Sequence, residues 1–383
     1  MKTERGVLGL AMVAGLLSLA CDTTSPSVET EAQAALTLPP INPYIFSAVV
    51  NPGCQDTGYG INDSGAVVGH SACLGIGAFV KRAGVVSSLP RPAGLGTNGS
   101  IFPLEINLGG RIVGYSAPGD GTFTFRALQW TPSGSGHTVS DLGTLPGGAA
   151  AEARAINAAG DVVGWSEIAM AGGVIRKHGF LRRPNGTRID LVPANGYLNA
   201  EANDINAAGF VVGKSYTPIQ GGALATRATI WKPAGSGSNT YLAVLLPGDY
   251  KGTAEAINTA GAIVGSITIA GSPSLTHLSR WQVNGTTVED LSPSDTYAVG
   301  YDVGTGGVIV GERIVGGQYV AFAYGTKFTT LPVPASGRAF ATGVNQCGTI
   351  VGEGRQTQPG STIPVQVAAQ WTQRYVTCAL VSP

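Results

Sequence analysis

The chain has 383 residues with 23 acidic and 23 basic side chains, a formal net charge of zero and only 12% charged residues. No basic patch or acidic tail points to nucleic acid as a partner, and beyond the N-terminus no apolar run is long enough to cross a bilayer. Length alone would allow two or three domains, but an internal repeat runs from about Tyr44 to Val381 and makes one closed ring the more economical organisation.

Residues 1–20 are a predicted signal peptide. Lys2 and Arg5 precede the apolar segment Gly6 to Ala20, which is too short for a membrane span. The segment ends Leu17-Ser18-Leu19-Ala20-Cys21, which resembles the bacterial lipobox and so implies that Cys21 is lipidated and becomes the mature N-terminus. An ordinary secretory peptide cut nearby is the alternative. Residues 21–40, beginning Cys21-Asp22-Thr23-Thr24-Ser25-Pro26, then read as a lipidated N-terminus and a flexible linker. The chain is accordingly expected to be exported, facing the periplasm or the cell surface, and to meet the membrane through its lipid alone.

Residues 41–383 hold seven copies of one motif, in which an apolar residue precedes an asparagine, a glycine follows three places on, and a second glycine four places after that. The asparagines are Asn62, Asn107, Asn157, Asn206, Asn258 and Asn345; in the sixth copy Gly304 takes the place. Anchors at 62, 107, 157, 206, 258, 304 and 345 lie 41 to 52 residues apart. Asparagine can open a type I turn by bonding the backbone ahead of it, and the glycine supplies positive φ, so Asn-x-x-Gly closes a hairpin. The strand before the turn reads small, variable, small, branched, as in Ala153-Arg154-Ala155-Ile156. After it, Asp161-Val162-Val163-Gly164 carries the β-branched pair that strands favour.

A third strand carries Ala-x-x-Trp at Ala127 to Trp130, Ala228 to Trp231 and Ala368 to Trp371, and a fourth ends in Leu-Pro or Asp-Leu, as at Leu89-Pro90 and Asp190-Leu191. Four short strands per repeat, seven times over, predict an all-β fold: a seven-bladed β-propeller of four-stranded antiparallel blades. A parallel β-helix repeats in fewer residues, and a helical solenoid needs a 3.6-residue periodicity that is absent. Small residues two and four places before the asparagine suit inner strands that converge on an axis.

Five cysteines less the lipidated one leave four in an oxidising compartment. Extending the first hairpin outward from Asn62 and Ala66 sets Cys54 opposite Cys73, close enough to bridge; Cys347 and Cys378 pair by elimination. All four fall in the first and last blades, which become neighbours when the ring closes.

The pattern Ala-x-x-Ile-Asn-x-x-Gly-x-Val-Val-Gly, followed by Ala-Phe-x-Trp and Asp-Leu-Gly-x-Leu, resembles the bacterial HAF-repeat extracellular proteins over nearly everything after residue 40. Ala155-Ile156-Asn157 through Gly164, and Asp141-Leu142-Gly143-Thr144-Leu145, carry the resemblance best; Gly179-Phe180-Leu181-Arg182 and Ala78-Phe79-Val80-Lys81 keep the aromatic without the tryptophan. It implies secretion and a repeat scaffold, with no established activity.

Catalytic constellations are largely missing. His70, His137, His178 and His277 lack metal-ligand spacing and fall outside the motif, so they read as surface or loop histidines. There is no nucleophile elbow, zincin motif or phosphate loop, and Gly143 to Gly148 lies between two strands. The repeated tryptophans read as core between blades. One set breaks the small-residue rule: two places before the turn, alternate blades carry Glu105, Asp204 and Asp302. If that face borders the central channel, three carboxylates point into it and could bind a cation such as calcium or act in acid and base roles. The plainer reading is that a water-filled channel tolerates them, with no cofactor. Glu152, Glu201 and Glu255 lie on the opposite side of their strands by period-two alternation.

Two functions follow. One is a non-catalytic, lipid-anchored monomer that binds an envelope protein or polysaccharide, without nucleic acid, through variable loops such as Gly119 to Thr124, Ala171 to His178 and Gly221 to Thr226. The other is a glycan hydrolase or lyase that uses the channel carboxylates.

Overall fold

In the computed structural model the described residues are 42–374, apart from 51–54, 73–76, 123, 220–223, 236–237, 249–250, 270, 272–274 and 359. Cys21, Cys54, Cys73 and Cys378 lie outside them, as does the whole N-terminal segment. Cys347 is the one described cysteine, and it is disulfide-bonded.

Seven four-stranded antiparallel sheets form a seven-bladed β-propeller. Blade three shows the plan: inner strand Ala151–Ile156, second strand Val162–Ala169, third strand Ile175–Arg182 and outer strand Arg188–Leu191, each paired with the next. The seventh blade differs. Its outer strand is Tyr44–Ala48 from the other end of the chain, paired with Pro364–Gln373 from Tyr44↔Gln373 to Ala48↔Ala369.

The asparagine turn forms as the spacing predicts. In blade three the Gly160 N–H donates to the Asn157 carbonyl at 3.0 Å, with Gly160 at φ 88°. The asparagine side chain does more than open the turn. Its Oδ1 accepts the N–H four residues on, as from Asp161 at 2.9 Å, while its Nδ2 donates across the blade boundary to the backbone carbonyl of the equivalent residue in the next blade. These bonds run from Asn62 to Asn107 at 2.9 Å, Asn107 to Asn157 at 3.1 Å, Asn157 to Asn206 at 3.3 Å, Asn206 to Asn258 at 3.2 Å and Asn258 to Gly304 at 3.0 Å. Asn345 returns to Asn62 at 3.2 Å and completes the circuit. The sole gap is at Gly304, which has no side chain to reach Asn345.

That gap gives a direct expectation. A Cβ on Gly304 would meet nothing closer than 3.5 Å, and the Asn345 carbonyl lies 3.8 Å from it. Gly304→Asn should therefore add the seventh bond and stabilise by about 1 kcal/mol, read as a higher urea midpoint with an unchanged slope.

The second glycine has a cause that strand propensity does not show. Every inner strand carries a β-bulge between positions four and two before the asparagine, as between Ala153 and Ala155. The kinked backbone brings the carbonyl five places before the asparagine onto the glycine: a Cβ at Gly164 would lie 1.9 Å from the Glu152 oxygen. Only glycine tolerates that approach.

Tryptophans on the third strand form the core between blades. Trp130, Trp231, Trp281 and Trp371 are buried, and their indole N–H groups donate to carbonyls of the preceding blade at Pro90, Val192, Pro247 and Pro332, at 2.7 to 3.1 Å. Burying the ring is favourable only because the polar N–H finds that partner.

Candidate functional site: the axial channel and its funnel

The asparagine turns mark one end of the propeller. At that end six of the blades contribute to a cavity of about 220 Å³ on the axis, lined by Asn157, Asn206, Asn258, Ile205, Ile257 and Val344 among others. Glu105, Asp204 and Asp302 stand one step inward on the inner strands. Asp204 accepts the N–H of Ile205 at 2.7 Å and that of Ile257, in the next blade, at 2.8 Å. Asp302 does the same with Val303 at 2.7 Å and Val344 at 2.8 Å, and Glu105 accepts the Ile106 N–H at 2.9 Å. The two aspartates thus staple neighbouring blades through backbone groups at the exposed edge of the inner strands.

Burial raises all three carboxyls, against the pull of these N–H donors. Asp204 is pushed up to about 6. Asp302 reaches about 7, with Asp204 and Asp63 adding repulsion, and Glu105 rises well above the carboxylate range, with Asp302 and Asp204 contributing. Glu105 thus senses both aspartates, and Asp302 senses Asp204. Among the described residues no group of three or more His, Cys, Asp or Glu side chains is arranged to hold a metal ion.

The other end of the propeller is built differently. Loops between second and third strands, and the connectors into the next blade, all leave from it. Here the positions five and three before the asparagine, and the one after the second glycine, vary from blade to blade while the framework repeats. The first and last of these face each other across the strands, as in Phe102↔Tyr115, Glu152↔Trp165, Glu201↔Lys214, Val299↔Glu312 and Phe340↔Glu353. We call this band the funnel.

The residue three before the asparagine is the extra one on its strand, so Arg154, Asn203 and Glu255 of consecutive blades reach one another. Arg154 Nη1 donates to Asn203 Oδ1 at 2.6 Å, and Asn203 Nδ2 to Glu255 Oε2 at 3.0 Å. Arg154 also pairs with Glu201 at 3.0 Å and Glu152 at 3.3 Å, and Lys214 with Glu201 at 3.2 Å. Tyr216 and Trp165 donate to Glu201 at 3.1 Å and Glu152 at 2.7 Å. Burial works against ionising Glu201, but Arg154 and Lys214 outweigh it and hold the carboxyl below its usual range. Burial raises Glu255 despite Lys214 and Arg154.

A second hub lies in blades six and seven. The buried Glu312 accepts Tyr297 at 3.0 Å, Tyr301 at 2.8 Å and a forked pair of bonds from Arg338 at 2.9 and 3.0 Å. Burial lifts Glu353 to about 7 in spite of Arg355 and Arg338. Blades one to three supply an aromatic wall instead. His70 stacks on Phe102 at 5.3 Å between ring centres, Phe102 on Tyr115 at 4.9 Å, and Phe125 meets Tyr115 and Trp165 edge-on at 5.6 and 6.3 Å. Lys177 caps the row, 3.8 Å over Trp165.

The histidines need correcting. None lies on a loop: His178 and His277 are buried on third strands at equivalent positions, bonded to Asp190 at 2.8 Å and Asp290 at 2.6 Å. Blade two places Arg126 against Asp141 at 2.6 Å in the same way. The pair secures the Asp-Leu exit from the blade, since Asp141 and Asp290 also accept the N–H two residues on. His70 and His137 are half-buried on strands, His137 lying 3.0 Å from Arg82. Of the variable loops, Ala171–Gly173 is a single 3-10 turn, and His178 belongs to the strand that begins at Ile175. Gly119 to Thr124 is described except for residue 123, and residues 221–223 lie outside the described set.

No protein-family model matches the chain, and no curated protein matches it. Solved structures with similar architecture include a gluconolactonase of Xanthomonas campestris, at 13% identity and TM-score 0.37, covering 72% of this chain and 90% of that one. TolB of Acinetobacter baumannii matches at 11% identity and TM-score 0.40, covering 85% and 80%. A putative oxidoreductase (glucose dehydrogenase) of Thermus thermophilus matches at 12% identity and TM-score 0.37, covering 86% and 99%. The propeller itself is read from the strand pairing of this chain.

Proposed function

We propose that the chain is a HAF-repeat, lipid-anchored exported propeller that binds a polysaccharide or protein at the bacterial envelope without catalysis. The observation that carries this is the funnel. Seven copies keep the turn asparagine (glycine once), both glycines and the branched residue before the turn, and vary the three positions that meet at one end of the axis, where acids, bases and aromatics collect. Such a surface on a rigid scaffold is suited to recognition. Most of its charges are already paired within the protein, which suits holding a ligand better than moving protons. The lipidated Cys21, the bridge between Cys54 and Cys73, and that between Cys347 and Cys378 belong to the same proposal.

The test begins at the N-terminus. Mass spectrometry should find a diacylated Cys21, and the full chain should partition with membranes and resist a salt wash. An unmodified N-terminus downstream of Cys21 would reject the anchor. Non-reducing peptide mapping should join Cys54 to Cys73; a link from Cys54 to Cys378 would reject that pairing.

A second reading, a glycan hydrolase or lyase, draws on Asp204 and Asp302, whose raised pKa values fit proton transfer near neutral pH. Against it, each of these carboxylates is engaged by two backbone N–H groups. Release of reducing ends from a polysaccharide, lost in Asp302→Asn, would establish it.

A further inference from the structure

We infer that the funnel takes an uncharged oligosaccharide, held with its sugar rings against the Phe102–Tyr115 wall and its hydroxyls on Arg154 and on Arg338, the accessible member of the Glu312 hub. The inference rests on the binding reading above and names the chemical class of its ligand. Three observations meet in it.

The first is charge. Arg154 and Lys214 are engaged by Glu152 and Glu201, and Arg338 by Glu312. A charged ligand that met these side chains would have to displace a partner and leave it buried without compensation, which is unfavourable, and Lys177, the cation at the end of the row, already lies over the Trp165 ring. A neutral polar ligand needs no such exchange. It can share the remaining acceptor and donor capacity of carboxylates, guanidinium and phenols that are already fixed in place.

The second is the aromatic row. His70, Phe102, Tyr115 and Phe125 are half-buried, so each keeps part of its surface accessible at the end of the propeller from which the long loops leave. His70, Phe102 and Tyr115 stack on one another, so the row offers its apolar rim to a ligand; a pyranose has an apolar C–H face that can lie on such a rim, and hydroxyls around its edge for placed polar groups. The wall occupies blades one to three, and the hydrogen-bonding hubs blades three to seven. A flat ligand with an apolar face and a polar rim can meet both at once.

The third is the distribution of tyrosine. Tyr59, Tyr115, Tyr216, Tyr297 and Tyr301 border the carboxylates, and burial raises all five hydroxyls, with Glu353, Glu152, Glu201 and Glu312 respectively adding to it (Glu312 for both Tyr297 and Tyr301). They stay protonated across the physiological range; Tyr216, Tyr297 and Tyr301 give their protons to Glu201 and Glu312, so these three oxygens are held in place as acceptors for a sugar hydroxyl.

Affinity gel electrophoresis of the full chain in gels containing soluble starch, a mixed-linkage β-glucan, a galactomannan or alginate tests the inference. At least one uncharged polymer should retard the protein and alginate should not. Phe102→Ala and Tyr115→Ala should each weaken that retardation about tenfold, whereas Tyr115→Phe, which keeps the ring and loses one hydroxyl, should weaken it by about threefold at most. Melting temperatures of the three variants control for folding, and because Tyr115→Phe preserves the wall it keeps the test valid if an alanine variant fails to fold. Retardation by alginate alone would overturn the neutral-sugar assignment and leave the binding function standing. So would failure with all four polymers, or capture of a protein partner that is lost on changing the exposed Met170, Val174 and Ile175 and kept in Tyr115→Ala. Chain cleavage of a retained polymer would instead overturn the non-catalytic reading itself.

Discussion

The melting temperature should fall as pH rises from about 4 to about 8, and a variant carrying Glu105→Gln, Asp204→Asn and Asp302→Asn should lose most of that slope. Asp204 and Asp302 titrate near 6 and 7 in the fold, against 3.8 without it. Between those values the folded chain holds protons that the unfolded chain has released, so stability declines with pH through the window. The stabilisation is complete below about pH 4 and is lost as pH passes through 6 to 7. At about 1.4 kcal/mol per unit, reduced for screening by channel water, the two aspartates remove on the order of 3 kcal/mol. Amides are nearer replacements than alanine because each keeps one oxygen for one of the two backbone N–H groups that the aspartate's Oδ1 and Oδ2 now accept, whereas alanine would leave both orphaned. Relative to the parent, the variant should gain several degrees in melting temperature between about pH 4 and about pH 8, with a residual slope from Glu353. Chelator should leave the parent unchanged; a loss of several degrees that calcium restores would make the channel a cation site instead.

Gly114→Ala should be the more damaging change, although alanine suits a strand as well as glycine does. The new Cβ would sit 1.9 Å from the Phe102 carbonyl oxygen and 2.9 Å from Pro103 Cα, both backbone atoms, so relief requires opening the bulge. A loss of about 3 kcal/mol or more is expected, seen as a lower urea midpoint or as insoluble protein. Gly136→Ala is the control, because a Cβ there meets nothing within 4 Å and φ is not in the left-handed region; it should change stability by less than about 0.5 kcal/mol. Equal effects at the two sites would mean that the bulge is not what demands glycine.

Blade number and the strand order of the first six blades were legible because both follow from local backbone needs that repeat: a turn asparagine, a positive-φ glycine, a branched pair and a buried tryptophan; the closure of the seventh blade by Tyr44–Ala48 was not. What depends on contacts between repeats was not. The inter-blade donation by asparagine leaves no trace within one copy, and its clue was the exception at Gly304. The bulge has no signature at its extra residue, which is Tyr59, Leu104, Arg154, Asn203, Glu255, Tyr301 or Thr342; the second glycine was the visible sign. Glu105, Asp204 and Asp302 were found because they break a small-residue rule. The funnel was missed for the opposite reason, since its residues break no rule and stand out only when the copies are compared for what varies. His178 and His277 were misread because each is explained by an aspartate 12 or 13 residues further on.

The strand Tyr44–Ala48 precedes every other described strand, yet its partner comes last, with Tyr44 and Gln373 separated by 329 residues and in contact through their side chains. During synthesis six blades can therefore assemble from neighbouring segments while the first strand waits unpaired. The final pairing closes the longest loop in the molecule, at an entropic cost of roughly 5 kcal/mol. Folding should thus show a fast phase of blade formation and a slower, separate docking of the first strand. Until that step, the third strand of the seventh blade is an open edge that another copy's leading strand can occupy, so crowding of partly folded copies favours linked rings over single ones.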